Sequence, residues 1–271
     1  MRLPALAMLA FLALSLMSSL TFAQTPTGAL ARFVGTWIED ESKRDVSGQT
    51  LIFRQGAKNV EELRGGEVSP LVQQVIFDGK PHVVDGPSST EWTQVDANTY
   101  ERKLTENGKL VTIRRLTLSA DGKMLTEKTD QMRADGKPRS VTVIFQRVDG
   151  QKGLVGRWKA ESLKSTVPAE RRIERAGANG IKYTTALGQG FTATLDGKPA
   201  PNTGPGVITG TMSALRMIGD RTIQITISRN GKDSNRNDLV LSANGKTLIE
   251  TSRSLAPNAG NAVSVLVFTK Q

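Results

Sequence analysis

The chain contains no cysteine and one histidine, His82, and aromatic residues account for only 5% of its 271 positions. Without cysteine there can be no disulfide, no thiolate metal ligand and no thiol nucleophile. A lone histidine excludes multi-histidine metal centres and leaves one candidate for any histidine-dependent general base. The scarcity of aromatics argues against single-stranded nucleic acid, which needs stacking platforms. One long hydrophobic run exists, residues 3–17, shorter than the roughly 20 apolar residues of a spanning helix. Arg2 precedes it and a small, polar stretch ending in Ala23 follows. Residues 1–23 are therefore expected to be a signal peptide, with cleavage after Ala23 and export to the periplasm or beyond. An exported chain without disulfides has to be held together by its core.

What the chain does have is repetition. Gly35-Thr36-Trp37 returns as Gly156-Arg157-Trp158, and Phe77-Asp78-Gly79-Lys80-Pro81 returns as Leu195-Asp196-Gly197-Lys198-Pro199. Leu118-Ser119-Ala120-Asp121-Gly122-Lys123 returns as Leu241-Ser242-Ala243-Asn244-Gly245-Lys246, and Val143-Ile144-Phe145 answers to Leu266-Val267-Phe268. Ordered matches of this kind indicate two units, expected at 24–150 and 151–271. Asn-Gly and Asp-Gly dipeptides at 107, 121, 135, 230 and 244 mark hairpin turns. Alternating runs between them, such as TIQITIS at 222–228, read as half-buried strands. No segment after the signal sustains a helical period. The expected fold is all-β: an antiparallel barrel or sandwich in each unit, with hairpin-linked neighbours favouring two tandem up-and-down barrels.

A Gly-x-Trp at the start of a first strand, with a basic residue ending a final strand, resembles the lipocalin and fatty-acid-binding superfamily. The resemblance implies that the Trp plugs the closed end of a barrel while the basic side chain crosses its ring. Gly35 and Trp37 with Arg147, and Gly156 and Trp158 with Lys270, are expected to fill those places. It also implies a small apolar or amphipathic ligand in the lumen, anchored by interior Arg and Tyr, here Tyr100 and Arg102.

Strand register extends this reading. If Asn107-Gly108 and Asn230-Gly231 are two-residue turns, Arg102 faces Ile113 and Ile225 faces Arg236. The hairpins at 121 and 244 pair Leu116 with Glu127 and Leu239 with Glu250, on the opposite parity. A β-bulge between Ile113 and Leu116, and another between Arg236 and Leu239, would reconcile the two hairpins. Each unit would then point one Arg and one Glu inward: Arg102 with Glu127, and Arg236 with Glu250. Such a pair is either a structural bridge or an anchor for a carboxylate or phosphate head.

Charge suggests a second role. Residues 24–150 carry 18 Lys+Arg against 18 Asp+Glu, and residues 151–271 carry 17 against 8. A basic second unit, with Arg171, Arg172, Arg175, Lys159, Lys164 and Lys182, could meet an anionic envelope surface, the barrels being scaffolds only. Enzyme chemistry is not expected: His82 reads as a loop residue with Ala200 at its counterpart, and the carboxylate runs Glu39-Asp40-Glu41 and Glu61-Glu62 read as solvated. No cofactor or metal is expected. Residues 201–206, PNTGPG, read as a loop at a barrel mouth.

Overall fold

The structure, a computed structural model, describes residues 26–64, 73–150, 152–255 and 263–271. The expected signal segment, residues 1–23, and its cleavage point lie outside the described residues. Among the described residues no helix is long and apolar enough to cross a membrane.

Two antiparallel ten-stranded sheets each curl into a nearly closed barrel. The first runs, in spatial order, Gln73–Val75, Val60–Arg64, Thr50–Gln55, Gly156–Ser165, Pro138–Asp149, Met124–Met132, Lys109–Leu118, Thr99–Glu106, Ser88–Gln94 and Pro81–Asp85. The second runs Gly190–Thr194, Gly180–Thr185, Glu170–Ala176, Gly35–Glu39, Val263–Lys270, Thr247–Ser254, Lys232–Leu241, Thr222–Arg229, Thr211–Met217 and Ala200–Pro201. The expected all-β architecture of two barrels is therefore present.

The barrels do not divide at residue 150. Strand Pro138–Asp149 turns straight back into Gly156–Ser165, pairing Arg147 with Trp158, and Gly156–Ser165 then closes on Thr50–Gln55 through Trp158 and Leu51. A short connection between antiparallel strands keeps them neighbours, so the Gly-x-Trp of the second repeat completes the first barrel. The first Gly-x-Trp strand does the same for the second barrel, seated between Val263–Lys270 and Glu170–Ala176. The described residues thus enter the second barrel first, build the first barrel between residues 46 and 165, and return.

This route corrects the expected partners at the closed ends. Trp37 lies under Lys270, with the ammonium 5.1 Å from the ring centroid, and Trp158 lies under Arg147 at 4.0 Å. Each indole is fully buried and donates to the carbonyl four residues before it, Phe33 at 2.8 Å and Leu154 at 3.0 Å. Gly35 (φ +145°) and Gly156 (φ +147°) are required beneath the basic side chains. A Cβ would stand 2.7 Å from Lys270 Cε at one and 2.8 Å from Arg147 Nη1 at the other. Leu30 and Phe33, on and just after the short helix Pro26–Ala31, join the second barrel's core.

The two Asn-Gly turns form as expected, with φ of 51° and 74° at Asn107 and Gly108 and 50° and 75° at Asn230 and Gly231. The hairpins at 121 and 244 use longer loops. In each the Asp121 or Asn244 side chain accepts from the amide two residues on, and Ser119 or Ser242 caps the loop, which accounts for the repeated LSA(D/N)GK string. Leu116 pairs with Glu127 and Leu239 with Glu250, as expected. The bulges sit closer to the turns than expected, at Val111 and Ser234. Arg102 consequently faces Arg114 rather than Ile113. Arg236 faces Thr226 and Arg253 on the outer face, in the row of Gln224 and Asp238, so it is not an interior residue.

The route also redistributes charge. Residues 46–165 carry 19 Lys+Arg against 15 Asp+Glu, while 26–45 with 166–271 carry 16 against 11. The basic excess is shared by the two barrels. Lys159 and Lys164 belong to the first barrel's sheet, and Arg171 points into the second barrel's lumen, so the expected basic cluster is dispersed.

Candidate functional site

Among the described residues, five charged side chains cluster in the lumen of the first barrel. Glu62 and Arg64 come from strand Val60–Arg64, Arg102 from Thr99–Glu106, Arg114 from Lys109–Leu118 and Glu127 from Met124–Met132. Four of them close a ring. Arg114 bonds both oxygens of Glu62 at 2.8 Å and Glu127 at 2.8 Å; Arg64 reaches Glu127 at 2.8 Å and Glu62 at 3.0 Å. Arg114, Glu62 and Glu127 are buried, while the side chain of Arg64 reaches the surface. Burial pushes the Glu127 carboxyl up, but Arg114 and Arg64 outweigh it and hold it at about 2. Glu62 is lowered in the same way, against its own burial, by Arg114 and Arg64.

Arg102 is the fifth charge, and it has no carboxylate partner among the described residues. Its Nη1 donates to Gln73 Oε1 at 3.1 Å, its Nε is buried without a partner among the described residues, and its guanidinium lies 5.9 Å from the Trp92 ring centroid. Burial, then the nearby Arg114, lowers its pKa to about 10, so it remains a cation at neutral pH. Among the described residues three guanidiniums face two carboxylates, and one positive charge is left over in a partly buried cluster.

That cation borders two cavities. One, of about 260 Å³, lies at the end of the first barrel, between Arg64, Leu104, Arg114 and Glu127 on one side and Leu187, Gln189 and Pro205 of the second barrel on the other. The other, of about 480 Å³, lies where the sheet's end strands fail to meet. Its walls are Gln73, Ile76, His82, Val83, Ser88, Thr90 and Leu104 of the first barrel, with Gly206, Ile208 and Arg229 of the second. The volume is within the roughly 300–1,000 Å³ of small-molecule sites, and its walls mix apolar side chains with polar and cationic ones. Residues 202–210, which include part of the expected mouth loop, form a partition between the barrels: the Gly206 amide donates to Glu106 at 3.1 Å.

The second barrel keeps the glutamate and changes its surroundings. Glu250 accepts from Arg171 at 2.9 Å, Tyr183 at 3.3 Å and Asn237 at 3.5 Å. Register places Asn237 where the first barrel has Arg114, Ile225 where it has Arg102, and Tyr183 where it has Glu62. Arg171 balances Glu250. Burial raises the Tyr183 hydroxyl, and the neighbouring Glu250 adds to this against Arg171, so the phenol stays protonated and donates.

Of the residues expected to bind ligand, Arg102, Glu127 and Glu250 are interior. Tyr100 is a core residue packed on Phe77 at 5.2 Å between ring centroids, rather than a partner of Arg102, and Arg236 is outside. Arg64, Arg114, Glu62 and Trp92 were not anticipated. The Glu61-Glu62 run is not wholly solvated: Glu61 meets Arg54 and Gln74, whereas Glu62 turns inward. Glu39 is likewise buried, on Arg44, whose Nη1 also bonds the Leu163 carbonyl and so joins the two barrels. His82 lies on the edge strand Pro81–Asp85, hydrogen-bonded to Asp78, at the rim of the larger cavity. Compared with family models, curated proteins and solved structures, the chain matches none.

Proposed function

We propose that the protein is an exported, non-enzymatic, lipocalin-like carrier of a small amphipathic anion, whose carboxylate or phosphate head pairs with Arg102. The observation that carries this reading is the surplus guanidinium at the border of the 480 Å³ cavity. Buried cations are ordinarily matched by a protein carboxylate, and the four neighbouring charges are already matched among themselves. An anionic head at Arg102 would supply the missing charge through a charge-assisted bond to the guanidinium. The tail would run along Ile76, Leu104 and Ile208. The Gly-x-Trp closures with their covering basic side chains support the lipocalin likeness, and the segment before Ala23 supports export.

Isothermal titration of decanoate tests the proposal. The protein should bind about one equivalent, and Arg102→Leu should weaken binding at least ten-fold with an unchanged far-ultraviolet spectrum. Equal binding by the folded variant, or no binding by the wild type to decanoate or decyl phosphate, would remove the reading.

A further inference from the structure

The 480 Å³ cavity beside Arg102 does not end at the first barrel. A cavity of about 360 Å³ lies in the second barrel, and Gly206, Ile208 and Arg229 line both. The segment of residues 202–210 therefore borders a passage as well as a partition. Gly206 lies against the mouth of the first barrel, where a Cβ would come 3.5 Å from Val111 and 3.6 Å from Leu104. On the other side, the apolar wall of the second cavity is Val207, Ile225, Ile227 and Phe191, the last stacked on Tyr183 at 5.3 Å between ring centroids. Arg171 and Glu250, also on its lining, bond each other at 2.9 Å. An anionic head there would meet a cation already held and the carboxylate that holds it, whereas Arg102 has no carboxylate partner among the described residues. The charges thus fix which end of an amphiphile lies in which barrel.

We propose that one ligand occupies both cavities: a single-chain anionic amphiphile whose head stays at Arg102 and whose tail passes Ile208 and ends in the second barrel against Phe191, Ile225 and Ile227. The inference rests on the anion site at Arg102 and adds tail length as the property the protein selects. Arg229, at the junction, is compatible with a passing tail because the methylene stem of an arginine covers apolar surface. Each methylene carried out of water into the second cavity tightens binding about four-fold. The two barrels then form one site, the first setting the charge of the head and the second the length of the chain.

The probes are decanoate and tetradecanoate, titrated calorimetrically into the full chain. Tetradecanoate should bind at one equivalent and at least ten-fold more tightly than decanoate. Val207→Trp enlarges a loop residue that lines the second cavity and not the first; it should remove that gain and leave decanoate unchanged. A measurement on the unaltered chain decides the matter if this variant misfolds. Tetradecanoate carrying a diazirine at its tail end, irradiated in the complex, should label a second-barrel peptide containing Phe191, Val207 or Ile225. Labelling confined to first-barrel peptides, a gain below ten-fold, or the same gain in folded Val207→Trp would each overturn the shared site while decanoate binding at Arg102 still stands. Binding of neither acid would remove the anion site, and this inference with it.

Discussion

Trp37 is covered by Lys270, 233 positions later in the chain, and not by Arg147, the basic residue that ends the same repeat. The relationship makes the second barrel discontinuous in sequence and the first continuous. Residues 46–165 should therefore fold alone, with cooperative urea unfolding followed by Trp fluorescence. Residues 166–271 lack the strand between Glu170–Ala176 and Val263–Lys270 and should remain unfolded until a peptide of residues 26–45 is added. Independent folding of 24–150 and 151–271 as two stable barrels would contradict this route.

The paired and unpaired arginines should behave oppositely. Arg114→Leu removes the buried one of the two arginines that Glu62 and Glu127 share and should cost about 3–5 kcal/mol in denaturant unfolding. Arg102→Leu removes a cation with no carboxylate partner and should leave the melting temperature of ligand-free protein unchanged or raised. Similar losses in both variants would show that Arg102 is bonded within the protein as Arg114 is.

Acid should act through Glu127. Its carboxyl has an ordinary value near 4.5 and is held at about 2 in the fold, so the stabilisation is complete above about pH 5 and is lost as pH falls towards 2. The difference corresponds to about 3 kcal/mol. Denaturant midpoints measured from pH 6 to pH 2 should drop accordingly. Glu127→Gln should be less stable at pH 6 and show a flatter dependence.

The two glycines under the basic lids should differ in degree. At Gly35→Ala the added methyl meets the flexible Lys270 side chain, leaving mainly the strain of φ +145°, about 1–3 kcal/mol. At Gly156→Ala the methyl also meets the Asp149 carbonyl oxygen, 2.5 Å away, which cannot swing aside. Thermal unfolding should show the larger loss for Gly156→Ala.

The strands, the Asn-Gly turns and the inward glutamates were legible because period-two patterning and turn chemistry are local. Connection was not: a repeat boundary states which segments are similar, not which barrel each strand completes, and a strand joined by a short turn stays beside its predecessor. The inner charges were half legible. Glu127 followed from Leu118, Leu116 and the turn at Asp121. Arg114 would have followed by continuing the same alternation one step, but the bulge was expected at that step instead of at Val111. Arg64 and Glu62 gave no signal, since their role depends on strands brought together only by barrel closure.

The most direct measurement is native mass spectrometry of the protein purified from its own host, with the Arg102→Leu variant beside it. The expected result is one anionic amphiphile per wild-type chain, recovered by solvent extraction and missing from the variant. An empty wild-type protein that also takes up no decanoate or decyl phosphate, or a bound anion retained by Arg102→Leu, would contradict the assignment of the surplus guanidinium to a ligand.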